Sequence, residues 1–145
     1  MGKLFRDDEA GAVVELLLSR FGVHLQGECL RVDGRSEPDF VEIEAFLEKA
    51  DGSFCYQMSV RAPLGKDLSR EAGKSLALDF LGYILDQYFG SDRELLLPLD
   101  YQTYPFGDHH VQARGDLTNP RLDAAADRII ERGVPLDPDD PAPGL

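Results

Sequence analysis

The chain has 145 residues, 43% of them hydrophobic, with 15 Lys+Arg against 27 Asp+Glu and a net charge of −12. That length fits one domain that buries roughly two-thirds of its surface, and no run reaches the 18 or more apolar residues of a membrane span. The acidity argues against nucleic acid or an anionic membrane as partner, since both are bound through clustered cations. Two cysteines make no disulfide framework, and the charged start MGKLFRDDE is no signal peptide, so a cytoplasmic location is expected.

In chain order, the first expected element is a helix over about Asp8–Phe21. Asp7 or Asp8 can cap it, Val13, Val14, Leu17, Leu18 and Phe21 recur at helical spacing, and Gly22 stops it. Val23–Val32 reads as a strand with Gly27 as a bulge, and Asp33–Asp39 as a loop by composition. Then Val41, Ile43, Ala45 and Leu47 alternate with Glu42, Glu44, Phe46 and Glu48, and beyond Asp51-Gly52 a second alternating run carries Phe54, Tyr56, Met58 and Val60. Asp-Gly between such runs predicts a hairpin with a type I′ turn. The implied register sets Leu47 opposite Tyr56, Ala45 opposite Met58, Ile43 opposite Val60, and Glu42 opposite Arg61 on the other face.

A long helix starts at Asp67 or Ser69 and ends at Gly90. Ala72, Leu76, Phe80, Ile84 and Tyr88 form one apolar line, and Leu78, Leu85 and Phe89 form another well round from it. Such a helix needs cover on two sides, from the sheet and from either another helix or a second subunit. Gly73 and Gly82 imply close backbone packing, because each weakens a helix interior by about 1 kcal/mol. Glu94–Leu99 is a strand candidate, extended by Tyr101–Phe106, and His109–Leu117 returns antiparallel. Thr118 or Asn119 caps a last helix with Leu122, Ala125, Ala126, Ile129 and Ile130 on its buried face, and residues 134–145 read as a disordered, acidic, proline-rich tail. The order α-β-β-β-α-β-β-α defines a single α+β domain over residues 1–133, an antiparallel sheet of about five strands packed by helices.

Few residues carry chemistry. Gly73-Lys74-Ser75 lies inside a helix and lacks the first glycine of a phosphate loop, where Leu68 stands. Asp108 and His110 are the best metal ligands, but adjacent His109 and His110 point to opposite faces of a strand and no third ligand is evident. Cys29 and Cys55 read as reduced thiols on neighbouring strands. The Glu42, Glu44, Glu48 stripe offers like environments, unsuited to acid–base work, and reads as a solvated edge. Phe46 within it is a candidate partner contact. Of Tyr101, Tyr104 and Phe106, half are read as closing the core, with a binding surface as the alternative, and Arg114-Gly115-Asp116 is read as a strand end and turn rather than an adhesion motif.

Leu16–Gly22 (LLLSRFG), followed by Cys29-Leu30-Arg31-Val32-Asp33, is similar in pattern to the opening helix and first strand of the class I chaperones of type III secretion. The element order over about residues 8–132, the size and the acidity resemble that family too. The resemblance implies a homodimer that holds an extended segment of another polypeptide through apolar patches and strand addition, with no catalysis and no cofactor. The expected function is therefore a non-enzymatic, chaperone-like or adaptor module. Its partner-binding residues would be Phe46, Leu78, Leu85 and Phe89, the stripe on the long helix meeting itself across a twofold axis. The alternatives are a small metal- or ligand-binding enzyme domain using Asp108, His109 and His110, and a subunit of a larger assembly.

Overall fold

A computed structural model describes residues 2–5 and 7–118. The expected last helix and the acidic tail lie outside these residues. The fold is α+β: β1 (Gly2–Lys3), α1 (Asp7–Phe21), β2 (Glu28–Ser36), β3 (Phe40–Lys49), β4 (Cys55–Pro63), α2 (Arg70–Gly90), β5 (Gln102–Phe106) and β6 (His109–Thr118). Five long strands and the two-residue β1 form one antiparallel sheet in the order β1-β2-β3-β4-β6-β5. Both helices pack on one face, α2 across β3 and β4 and α1 against β2.

The central hairpin has the expected register. Leu47 pairs with Tyr56, Ala45 with Met58, Ile43 with Val60 and Glu42 with Arg61. Those apolar residues, at most 1% exposed, form the floor on which α2 lies. The turn differs from expectation. The Gly52 N–H donates to the Lys49 carbonyl, and only Gly52 takes a positive φ, of 75°. Asp51 instead accepts the Ser53 N–H through its side chain, so a four-residue connection replaces the type I′ turn while keeping the register.

Three other expectations are corrected. Val23 and His24 belong to a short 3-10 turn (Gly22–His24), and Gly27, at φ 87°, precedes the strand rather than bulging it. The loop read at Asp33–Asp39 shrinks to residues 37–39. Asp33-Gly34-Arg35-Ser36 is strand because β3 pairs it along its length and β1 holds its end, so neighbours override composition. Glu94–Leu99 forms no strand; β5 is the Gln102–Phe106 segment alone. Pro105 is tolerated there because β5 is an edge strand.

Helix α2 begins where Ser69 accepts the Ala72 N–H. Ala77, Leu81, Ile84 and Tyr88 face the sheet. At Gly73 any Cβ would lie 2.7 Å from Leu64, so glycine lets the helix settle onto the strands. The second cover left open by the sequence is α1 of the same chain. Arg20 crosses Gly82 to reach Asp86 at 2.5 Å, Lys74 meets Glu9 at 2.8 Å, and the Phe21 and Phe89 ring centroids are 5.9 Å apart. Leu85 is fully enclosed on this side, while Leu78 and Phe89 are half-buried against the same core. The Arg20–Asp86 pair is more than half exposed and adds less than about 1 kcal/mol, so apolar contact dominates the helix pairing. Leu85→Ala is therefore expected to cost about 2–5 kcal/mol in urea unfolding. Leu85→Glu should give an unfolded chain by circular dichroism, not a folded monomer.

Candidate functional site

Alternation places the other half of each strand on the face away from the helices. Four rows cross that face in register: Arg35, Glu42, Arg61 and Gln112; Asp33, Glu44, Ser59 and Arg114; Arg31, Phe46, Gln57 and Asp116; Cys29, Glu48, Cys55 and Thr118. The acidic stripe is thus on a central strand, not a solvated edge, and its neighbours supply its partners. Glu42 is only 4% exposed. It accepts from Arg35 at 2.9 Å, from Arg61 at 3.0 Å and from the Tyr101 hydroxyl. Gln57 and Ser59 donate to Glu44, and Arg31 to Glu48.

Aromatic rings tile the same face. The Arg61 guanidinium carbon lies 4.1 Å from the Phe40 ring centroid and 4.3 Å from that of Tyr101, and Arg31 lies 4.0 Å over Phe46. Phe46, expected as a partner contact, is therefore half-buried beneath Arg31. Of Tyr101, Tyr104 and Phe106, Tyr104 is buried in the core, while Tyr101 stands on the open face. Burial raises its phenol pKa, and the hydrogen bond and negative charge of Glu42 raise it further.

The thiols and the imidazoles gather no site. Cys29 and Cys55 flank β3 rather than neighbouring each other, so their Cα atoms stand about two strand spacings apart, beyond disulfide reach. Burial, with Glu48 adding to it, pushes the Cys55 thiol pKa up, the wrong direction for a nucleophile. Asp108 lies in the β5–β6 turn, and the pairing of Phe106 with His109 and of Pro105 with His110 sends the two imidazoles to opposite faces. Among the described residues no three His, Cys, Asp or Glu side chains are grouped to hold a metal ion. Arg114-Gly115-Asp116 lies within β6, with Gly115 buried on the helix side.

The second notable region is the edge at β2. Gly2 and Lys3 pair with Ser36 and Arg35, and the Leu4 N–H reaches the Gly34 carbonyl. From Glu28 to Asp33 the outer side of the strand has no backbone partner among the described residues. Beside it runs α1. Since Glu9 and Arg20 mark the flank of α1 that faces α2, the 100° step per residue puts Val14 and Leu18 on the opposite flank, toward this edge. Leu18 is 38% exposed, and Val23 beyond it is 88% exposed.

The edge is anchored from below. Arg93 donates to both Glu28 carboxylate oxygens and, at 2.9 Å, to the His24 carbonyl. Asp92 and Arg93 both adopt positive φ, 56° and 67°, to bring the guanidinium there. Burial pushes the Glu28 pKa up, but the hydrogen bond and charge of Arg93, with the Gln26 N–H, outweigh it and hold the carboxyl below its usual 4.5. This depressed value contributes stability that is fully present above the unfolded pKa and is lost as pH falls through the folded one. The unfolding midpoint should therefore drop as pH is lowered from about 5 to 3. Glu28→Gln should lower it at pH 7, leaving Arg93 with an unpaired charge, and flatten that dependence.

No protein-family model, curated protein or solved structure matches the chain. No helix among the described residues is long and apolar enough to cross a membrane.

Proposed function

We propose that this protein is a non-enzymatic polypeptide-binding module that takes an extended segment of another protein by strand addition along β2. The observation that carries this reading is the open backbone of Glu28–Asp33 beside the apolar flank of α1. An added strand would draw affinity from main-chain hydrogen bonds and specificity from alternate side chains reaching Val14 and Leu18. The other edge is less suitable, because Pro105 removes a donor from the five-residue β5. The resemblance of the expected element order to that of class I type III secretion chaperones points the same way.

A photo-crosslinking amino acid at Arg31, on the open edge, should capture a second polypeptide in cells of the protein's own source. The same group at Glu71, whose side chain is 84% exposed on α2, should not. Leu18→Asp should cut the adduct about tenfold while leaving the circular dichroism spectrum unchanged, as expected for losing one apolar contact. Equal capture from both positions, or none from Arg31, would sink the reading.

The homodimer is retained as part of this proposal, on a different surface. Tyr83 is 38% exposed, and its ring lies 5.7 Å from Phe80 and 6.1 Å from the half-buried Phe106. This aromatic patch joins α2 to β5 and can meet its own copy in an isologous contact. Sedimentation equilibrium should show a dimer for the wild type and a monomer for Tyr83→Glu; a monomeric wild type would remove the homodimer from the proposal.

A further inference from the structure

Only alternate residues of an edge strand turn their backbone groups outward, and on β2 these can be assigned. The Leu4 N–H donates to the Gly34 carbonyl from the β1 side, so Gly34 turns outward, and with it Val32 and Leu30. The pairing on the other side of β3 agrees. The Lys49 N–H donates to the Phe54 carbonyl, which turns the backbones of Leu47 and Ala45 toward β4. Phe46 and Glu44 are left to bond Arg31 and Asp33 of β2. The free donors and acceptors of the edge therefore belong to Leu30 and Val32, whose buried side chains face the helix layer. Between them on the open face stand Arg31 and Asp33, both more than half exposed.

We propose that the segment received at β2 runs antiparallel to it and reads basic–apolar–acidic–apolar, its residues lying opposite Asp33, Val32, Arg31 and Leu30 in turn; this rests on strand addition at that edge. A residue opposite Val32 or Leu30 makes its main-chain bonds there and sends its side chain to the same face, beside Val14 and Leu18 of α1, which favours an apolar group. A residue opposite Arg31 or Asp33 points to the open face instead. Opposite charges stabilise a directly facing pair and like charges destabilise it, so Arg31 selects an acid and Asp33 a base. The Arg31–Asp33 contact at 2.8 Å is an exposed pair of small worth, and Arg31 keeps Glu48 behind it, so each end is open to a cross-strand partner. The antiparallel sense is that of every strand pair in the sheet, including β1 on the same edge. The segment's length is bounded as well: β1 occupies the edge from Gly34 onward, and the positive φ of Gly27 turns the chain away before Glu28.

The test titrates the full chain with two capped peptides of one composition, Thr-Lys-Val-Glu-Val-Thr and the charge-exchanged Thr-Glu-Val-Lys-Val-Thr, and follows backbone amide exchange by NMR. The first peptide should slow exchange at Leu30 and Val32 and bind about tenfold more tightly than the second. Asp33→Asn, at an exposed position, should narrow that ratio to about threefold. Proline in place of the peptide's first valine should abolish binding, because it removes the donor opposite Val32. Equal affinities, or preference for the exchanged peptide, would overturn the proposed pattern while leaving strand addition standing. Binding of neither peptide would overturn it too, as would Leu30 and Val32 amides already protected in the free protein, by its own residues 119–145 or by a second copy. Failure of strand addition itself reads out separately, as no adduct from the crosslinker at Arg31.

Discussion

The rest of the structure depends on the two-sided burial of β3. A strand's side chains alternate strictly, so a central strand that gives one face to the core commits every second residue to the other face. Val41, Ile43, Ala45 and Leu47 go beneath α2 with at most 1% exposure. Phe40, Glu42, Glu44, Phe46 and Glu48 then share the open face with β2 and β4 on both sides. A carboxylate at the middle of such a row loses water to its neighbours. The paired strands bring arginines to the same row, Arg35 from one side and Arg61 from the other, and both bond to it. The polar face is therefore an ordered array of ion pairs and cation–ring contacts, set by the same register that assembles the core.

The helix layer obeys the same logic at its own period. A helix apolar around most of its circumference must be enclosed on two sides. The sheet takes the Ala77, Leu81, Ile84 and Tyr88 side, and α1 takes the side that carries Leu78, Leu85 and Phe89. With that stripe covered inside the chain, the apolar groups left at the surface lie elsewhere. Leu16 and Leu18 are on α1, Val23 just after it, Tyr83 on the far flank of α2, and Leu99 before β5.

Much of this was legible in the sequence, and the failures have physical causes. The central hairpin could be read because alternation, a turn dipeptide and a cross-strand charge pair all specified one register, which survived a different turn geometry. The end of β2 was misread because Asp-Gly-Arg-Ser carries loop composition, and only the partners on both sides make it strand. The open-face cluster was half legible: Glu42 opposite Arg61 followed from register. Arg35 lay inside the segment read as loop, and Tyr101 and Arg114 come from the far end of the chain, where local pattern says nothing about which strand lies beside β4. The order β4-β6-β5 is what carries Tyr101 over Arg61. The choice between α1 and a second subunit as cover for Leu85 was likewise a tertiary question that periodicity leaves open.

The β2 edge and its anchor have to be considered together. An edge strand that receives another chain pays less ordering entropy if it is already held in its bound shape. Here the start of β2 is fixed by Glu28 to Arg93, which extends from the end of α2 on two residues of positive φ, and its end is fixed by β1. Between these two anchors lies the stretch whose outer backbone has no partner among the described residues. Leu30 and Val32 pin the same stretch from below, at 9% and 4% exposure. A strained connection and a buried ion pair are costly ways to end a helix. Here the positive φ at Asp92 and Arg93 turns the chain so that the guanidinium meets Glu28, and the pair ties the end of α2 to the start of β2.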